Sequence, residues 1–150
     1  MTAGPSYFAP EDARLAVRDC CHDFAIALSR MTGWRLAVLQ RLPVGDGFDL
    51  SPDPVPVHAY CISPDGLAVD AEGATDVGEL LARWKPDGSR KLAAQEIGDE
   101  RAYAAFMSDG PLAPRERGIE AAVRLIASSP GFLALVETLG SAGPPSGPGR

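Results

Sequence analysis

Asparagine is missing from this 150-residue chain, and lysine occurs only as Lys85 and Lys91. The first absence removes one side chain able to orient a catalytic imidazole. The second, with 14 Lys and Arg against 20 Asp and Glu and a net charge of −6, leaves no basic footprint for a phosphate backbone, so nucleic acid is not an expected partner. No apolar run approaches the length of a membrane span, so no membrane partner is expected. The stretch from Met1 to Phe8 lacks the basic start and apolar core of a signal peptide. Cysteine is scarce as well. Cys20 and Cys21 are adjacent and Cys61 stands alone, which makes no disulfide framework and suggests reduced thiols. A cytoplasmic location is expected, with export by a route that needs no cleaved signal left open. The Ala, Arg, Gly and Pro bias looks like a GC-rich genome, which bears on origin and not on role.

Hydrophobic residues make up 45% of the chain and charged residues 23%, enough for one domain with a real core. That domain is read over residues 1–139, with the Gly- and Pro-rich 140–150 as a disordered tail. Pro10–Val17 reads as a short helix, and Asp19 as the cap of a second helix over Cys20–Met31 that stops at Thr32-Gly33. Trp34–Leu42 reads as a strand, and Pro43–Pro56 as a loop with Asp46, Asp49 and Asp53. Val57–Ile62 and Leu67–Ala71 flank Ser63-Pro64-Asp65-Gly66, a turn in which proline presets one dihedral and glycine accepts positive φ. Helices are expected over Asp76–Trp84, Asp99–Met107, Arg115–Ala127 and Pro130–Leu139. Lys91–Ile97 is ambiguous between strand and irregular chain.

A thiol attacks as its thiolate, and the unpaired N–H groups of a helix start favour that form. Cys21 lies two residues after the proposed cap. Of the two histidines, His22 follows Cys21 on the helix, where sequence neighbours point apart, which leaves His58 as the base. A three-residue loop at Pro64-Asp65-Gly66 sets Ser63 against Leu67, Tyr60 against Asp70, and Asp70 diagonal to His58. Side chains alternate along a strand. His58 and Asp70 then share one face of the hairpin, while Val57, Ala59, Cys61, Leu67 and Val69 form the apolar face. A two-residue loop would separate them. Thiolate, imidazole and carboxylate together suit acyl transfer at an amide, with the Cys21 N–H as one oxyanion donor. No glutamine stands upstream of Cys21 to supply a second donor; Gln40 and Gln95 are distant candidates.

Cys21-His22-Asp23-Phe24-Ala25, with Leu28 and Gly33 beyond, resembles the catalytic-helix motif of transglutaminase-like and related papain-fold proteins. His58-Ala59-Tyr60 followed by Asp70 resembles their His-Ala-aromatic strand and succeeding Asp. The likeness covers about Asp19 to Gly73. It implies an α+β fold in which an N-terminal helix carrying the cysteine packs on a small antiparallel sheet, with additional C-terminal helices. It also implies Cys21, His58 and Asp70 as catalytic residues, a protein or peptide substrate, and no cofactor. Peptidase, glutamine deamidase and transglutaminase share the first half-reaction, and the sequence does not choose among them. Tyr60 stands where the family has tryptophan, and the domain is small, which leaves the substrate class open.

Plainer readings compete. Cys21 could be a small buried hydrophobe, Cys20 the true nucleophile, His58 a satisfied surface histidine on a half-exposed strand, Asp70 a turn residue, and Trp34 and Trp84 packing residues, with Trp84 also able to rim a cleft. The whole could be a binding or structural domain with no turnover. Cys61 reads as core. No Cys-x-x-Cys or other paired metal ligands occur, and no metal is expected.

Overall fold

The computed structural model describes residues 7–14, 16, 21–42, 55–84, 91–108 and 112–142. Among these, the chain runs α1 (Pro10–Arg14), α2 (Cys21–Thr32), β1 (Arg35–Arg41), β2 (Val55–Ile62), β3 (Ala68–Asp70), β4 (Gly73–Thr75) and α3 (Val77–Trp84). It then continues through β5 (Leu92–Gly98), α4 (Glu100–Phe106), α5 (Glu116–Ala127) and α6 (Pro130–Ala142). The fold is α+β, with one antiparallel sheet in the order β4-β3-β2-β1-β5. The ambiguous segment after Lys91 is thus the edge strand β5. The expected cap Asp19 and the loop with Asp46, Asp49 and Asp53 lie outside the described residues.

Local chemistry sets several boundaries. Gly33 ends α2 at φ +80°, its N–H bonded to the Ser29 carbonyl at 2.7 Å. Asp99 caps α4 by accepting from the Ala102 N–H at 2.8 Å, and Asp76 accepts from the Glu79 N–H at the start of α3. The β2–β3 turn has the expected register. The Ser63 N–H donates to the Leu67 carbonyl at 2.8 Å, and Cys61 pairs with Val69 and Ile62 with Ala68. β3 is shorter than the expected Leu67–Ala71, because the chain turns at Ala71-Glu72 and returns as β4, with Gly73 at φ +119°. α6 runs to Ala142, three residues beyond the domain end drawn at 139.

α2 lies on one face of the sheet. Phe24, Ala25 and Leu28 pack there with Leu36, Val38, Ala59, Cys61 and Val69, together with Tyr103 of α4, Ile119 and Ile126 of α5 and Phe132 of α6. The opposite face is covered too, a difference from the one-sided core read in the sequence. Leu80 of α3 packs on Ala37, Leu39, Tyr60 and Ala68. Val57 joins this second cluster and not the Ala59–Cys61 face. Leu39 pairs with His58 but Gln40 with Pro56, so Val57 is the extra residue of a bulge that breaks strict alternation just before His58.

Among the described residues no single helix is long and apolar enough to cross a membrane.

Candidate functional site

The site lies where β3 leaves β2. In this register the rung after Cys61–Val69 would join Ala59 to Ala71, but the chain is already turning there. The Ala59 N–H donates to the Cys21 sulfur instead, at 3.4 Å. The first residue of α2 thus fills a vacant position on the strand edge. Cys20, the alternative nucleophile, lies outside the described residues.

His58 and Asp70 meet as their parity requires. His58 Nε2 and Asp70 Oδ2 are 2.8 Å apart. The other carboxylate oxygen of Asp70 accepts from the Glu72 N–H at 2.9 Å, so this residue serves the turn and the imidazole together. The His58 ring stacks on Trp84, with centroids 4.5 Å apart and planes inclined by 23°. Trp84 is thus a wall of the site, while Trp34 is buried in the larger core. Cys21, His58 and Asp70 expose only 2%, 0% and 5% of their surface. His58 is therefore no half-exposed strand histidine.

Burial by itself would raise the Cys21 thiol pKa. The neighbouring imidazoles of His22 and His58, the charge of His58 and the Ala59 N–H outweigh it, and the thiol falls to about 7. Burial would likewise lower His58, but the bond to Asp70 and the neighbouring Cys21 raise it to about 9. Between those values the favoured state is thiolate beside imidazolium. With Nε2 committed to Asp70, Nδ1 is the ring nitrogen left for the sulfur. Neither His58 Nδ1 nor His22 Nδ1 has a hydrogen-bond partner, so neither ring is bonded to the sulfur here.

His22 was set aside in the sequence because neighbours on a helix diverge. In the first turn of α2 its buried ring nonetheless helps to lower the Cys21 thiol, as that of His58 does. No local pattern in the sequence signals this. Asp23 is fully buried, its Oδ1 is 3.4 Å from His22 Nε2, and Arg115 donates to it from its N–H, Nε and Nη2 at 3.2, 3.2 and 3.0 Å.

Cys61 is a core residue, as read from the sequence. Its thiol donates to the Ala25 carbonyl at 3.1 Å, and burial pushes its pKa up. Gln40 donates to Gln95 across β1 and β5, so the two candidate oxyanion donors are engaged with each other. Among the described residues no group of three or more His, Cys, Asp and Glu side chains is arranged to hold a metal ion. No family model matches the chain, and comparison with curated proteins and with solved structures finds no match either.

Proposed function

We propose that this chain is a cysteine-dependent enzyme acting on an amide bond, of papain-like or transglutaminase-like type. The observation that carries this reading is the 2.8 Å His58–Asp70 bond beside a thiol lowered to about 7 at the start of α2. In that scheme the Cys21 thiolate attacks the carbonyl carbon, and the tetrahedral oxyanion forms near the N–H groups of the helix start. His58, charged and held by Asp70, gives its Nδ1 proton to the leaving nitrogen as the C–N bond breaks, and a thioester remains. Water or an amine then attacks the thioester carbon, neutral His58 takes the proton of the incoming group, and the thiolate leaves. Hydrolysis of a peptide, deamidation of glutamine and transfer to an amine differ only in the group lost and the group that attacks. A protein or peptide is the proposed substrate.

A second reading is favoured by burial. With only 2% of Cys21 exposed, the same trio could be an internal polar cluster of a binding domain without turnover. Iodoacetamide alkylation followed across pH separates the two, with Cys20→Ser as background and the labelled residue mapped by tandem mass spectrometry. An enzyme site labels at Cys21 with a midpoint near 7, below the ~8.5 of a free thiol, and His58→Ala moves the midpoint up. Labelling that follows an ordinary thiol, or no labelling of the folded protein, favours the binding domain.

A further inference from the structure

We propose that His22 is a second proton acceptor for the Cys21 sulfur, working through Nδ1 while Asp23 holds Nε2. The inference rests on the thiol-enzyme reading and adds a residue to it. Among the described residues two buried side-chain nitrogens or oxygens lack a hydrogen-bond partner: Nδ1 of His22 and Nδ1 of His58. Both belong to imidazoles that help to lower the Cys21 thiol, although neither Nδ1 forms a hydrogen bond to the sulfur. In each ring the other nitrogen faces a buried carboxylate, Asp70 at 2.8 Å for His58 and Asp23 at 3.4 Å for His22. Two histidine–aspartate pairs thus accompany the thiol, one on the hairpin and one following it on its own helix.

The tautomer follows from the carboxylate. Asp23 can accept from Nε2 only when that nitrogen carries hydrogen, which leaves the lone pair of neutral His22 on Nδ1. The S–H bond then breaks toward Nδ1, an N–H bond forms there, and sulfur keeps the electron pair. The resulting imidazolium lies against Asp23. That carboxylate is fixed by three bonds from Arg115 at the start of α5, and Gly118 of α5 leaves it room. The charged and titratable groups around the pair are Cys21 and Asp23 from α2, Arg115 just ahead of α5, His58 from β2, Asp70 from β3 and Tyr103 from α4. The Tyr103 hydroxyl is occupied in donating to the Leu112 carbonyl at 2.9 Å. The consequence is that loss of His58 removes only part of the thiol's activation.

Alkylation profiles of the full chain, its His22→Gln and His58→Ala variants and the double variant test this. Each single variant should raise the midpoint, and only the double should reach an ordinary thiol. Every unit of upward shift lowers the low-pH rate about tenfold. Thermal unfolding of each variant identifies any that fail to fold. The unmutated chain offers a second measurement, because 15N-histidine NMR should show the His22 Nδ1 resonance move when Cys21 is alkylated. If wild type labels well at low pH, His58→Ala accounts for the whole shift and His22 Nδ1 ignores alkylation, the inference is overturned and the enzyme reading stands. Ordinary-thiol labelling in wild type would overturn the enzyme reading first.

Discussion

His58 is clamped on two sides. Asp70 holds its edge through Nε2, and Trp84 covers its face at 4.5 Å. An aromatic face attracts a cation, by about 0.5–2 kcal/mol, so the stack favours the charged ring. Trp84→Leu should therefore lower the His58 pKa from about 9, by up to about one unit, while Trp84→Phe should retain part of the effect. An NMR titration of the imidazole measures both. In the proposed mechanism, turnover needs thiolate and imidazolium together. With the thiol near 7 and the imidazole near 9, transfer should rise with pH through the first value and fall through the second. Alkylation, which needs no acid, should show the rising limb alone. Asp70→Asn should preserve the turn at Glu72 yet slow transfer on the order of 10³–10⁴-fold, because the amide no longer selects the right tautomer. A rate within tenfold of wild type would remove Asp70 from the mechanism. The facing of these two residues was legible in Ser63-Pro64-Asp65-Gly66, since turn length sets parity. The sequence left Trp84 open between packing and the rim of a cleft, and its stacking on His58 decides for the site; the role proposed for His22 was not legible, because ring orientation is not encoded in neighbouring sequence.

At the scale of elements, α2 is fastened to α5 by a buried charge. Asp23 receives the Arg115 N–H just ahead of α5, so its carboxylate lies at the positive end of that helix, where it is stabilised. The approach is so close that a Cβ on Gly118 would lie 2.0 Å from Asp23 Oδ2. Gly118→Ala must therefore displace the carboxylate or the helix, and should cost about 1–3 kcal/mol by overpacking. Gly140 in α6 is the control, since a Cβ there meets nothing within 4 Å. Gly140→Ala should stabilise by up to about 1 kcal/mol through helix propensity. Denaturant unfolding of both variants checks the contrast, and equal effects would contradict the close contact. The sequence showed Asp23 as one member of a helix motif. Its partner is 92 residues away, and no local pattern joins the two.

At the scale of the molecule, an aromatic cluster ties the start of the chain to its last helix. Phe8, Phe24 and Phe132 meet pairwise with centroids 5.3–5.6 Å apart, and Tyr7 meets Phe132 edge-on. Ser129 adds a bond to the Tyr7 carbonyl at 2.9 Å. Phe132→Ala should cost about 3–5 kcal/mol, the usual toll of emptying a buried aromatic site. A chain ended after Ala142 should unfold at the same temperature as the full one, because Leu139, the last buried residue described, is kept. Limited proteolysis should leave a resistant fragment that ends near Ala142. Cleavage inside α6 would refute that boundary.

Turn chemistry, strand alternation and helix-start signals act over a few residues, so the sequence alone determined the β2–β3 register, the helices that begin at Asp76 and Asp99, and the common face of His58 and Asp70. Tertiary structure decided what those local rules cannot reach. α3 closes over the histidine face, β5 takes the far edge of the sheet, and a bulge sends Val57 to the second core. The sulfur of α2 takes the hydrogen bond that β3 gives up. These outcomes depend on which distant surfaces bury one another, and burial is a property of the assembled chain rather than of any segment in it.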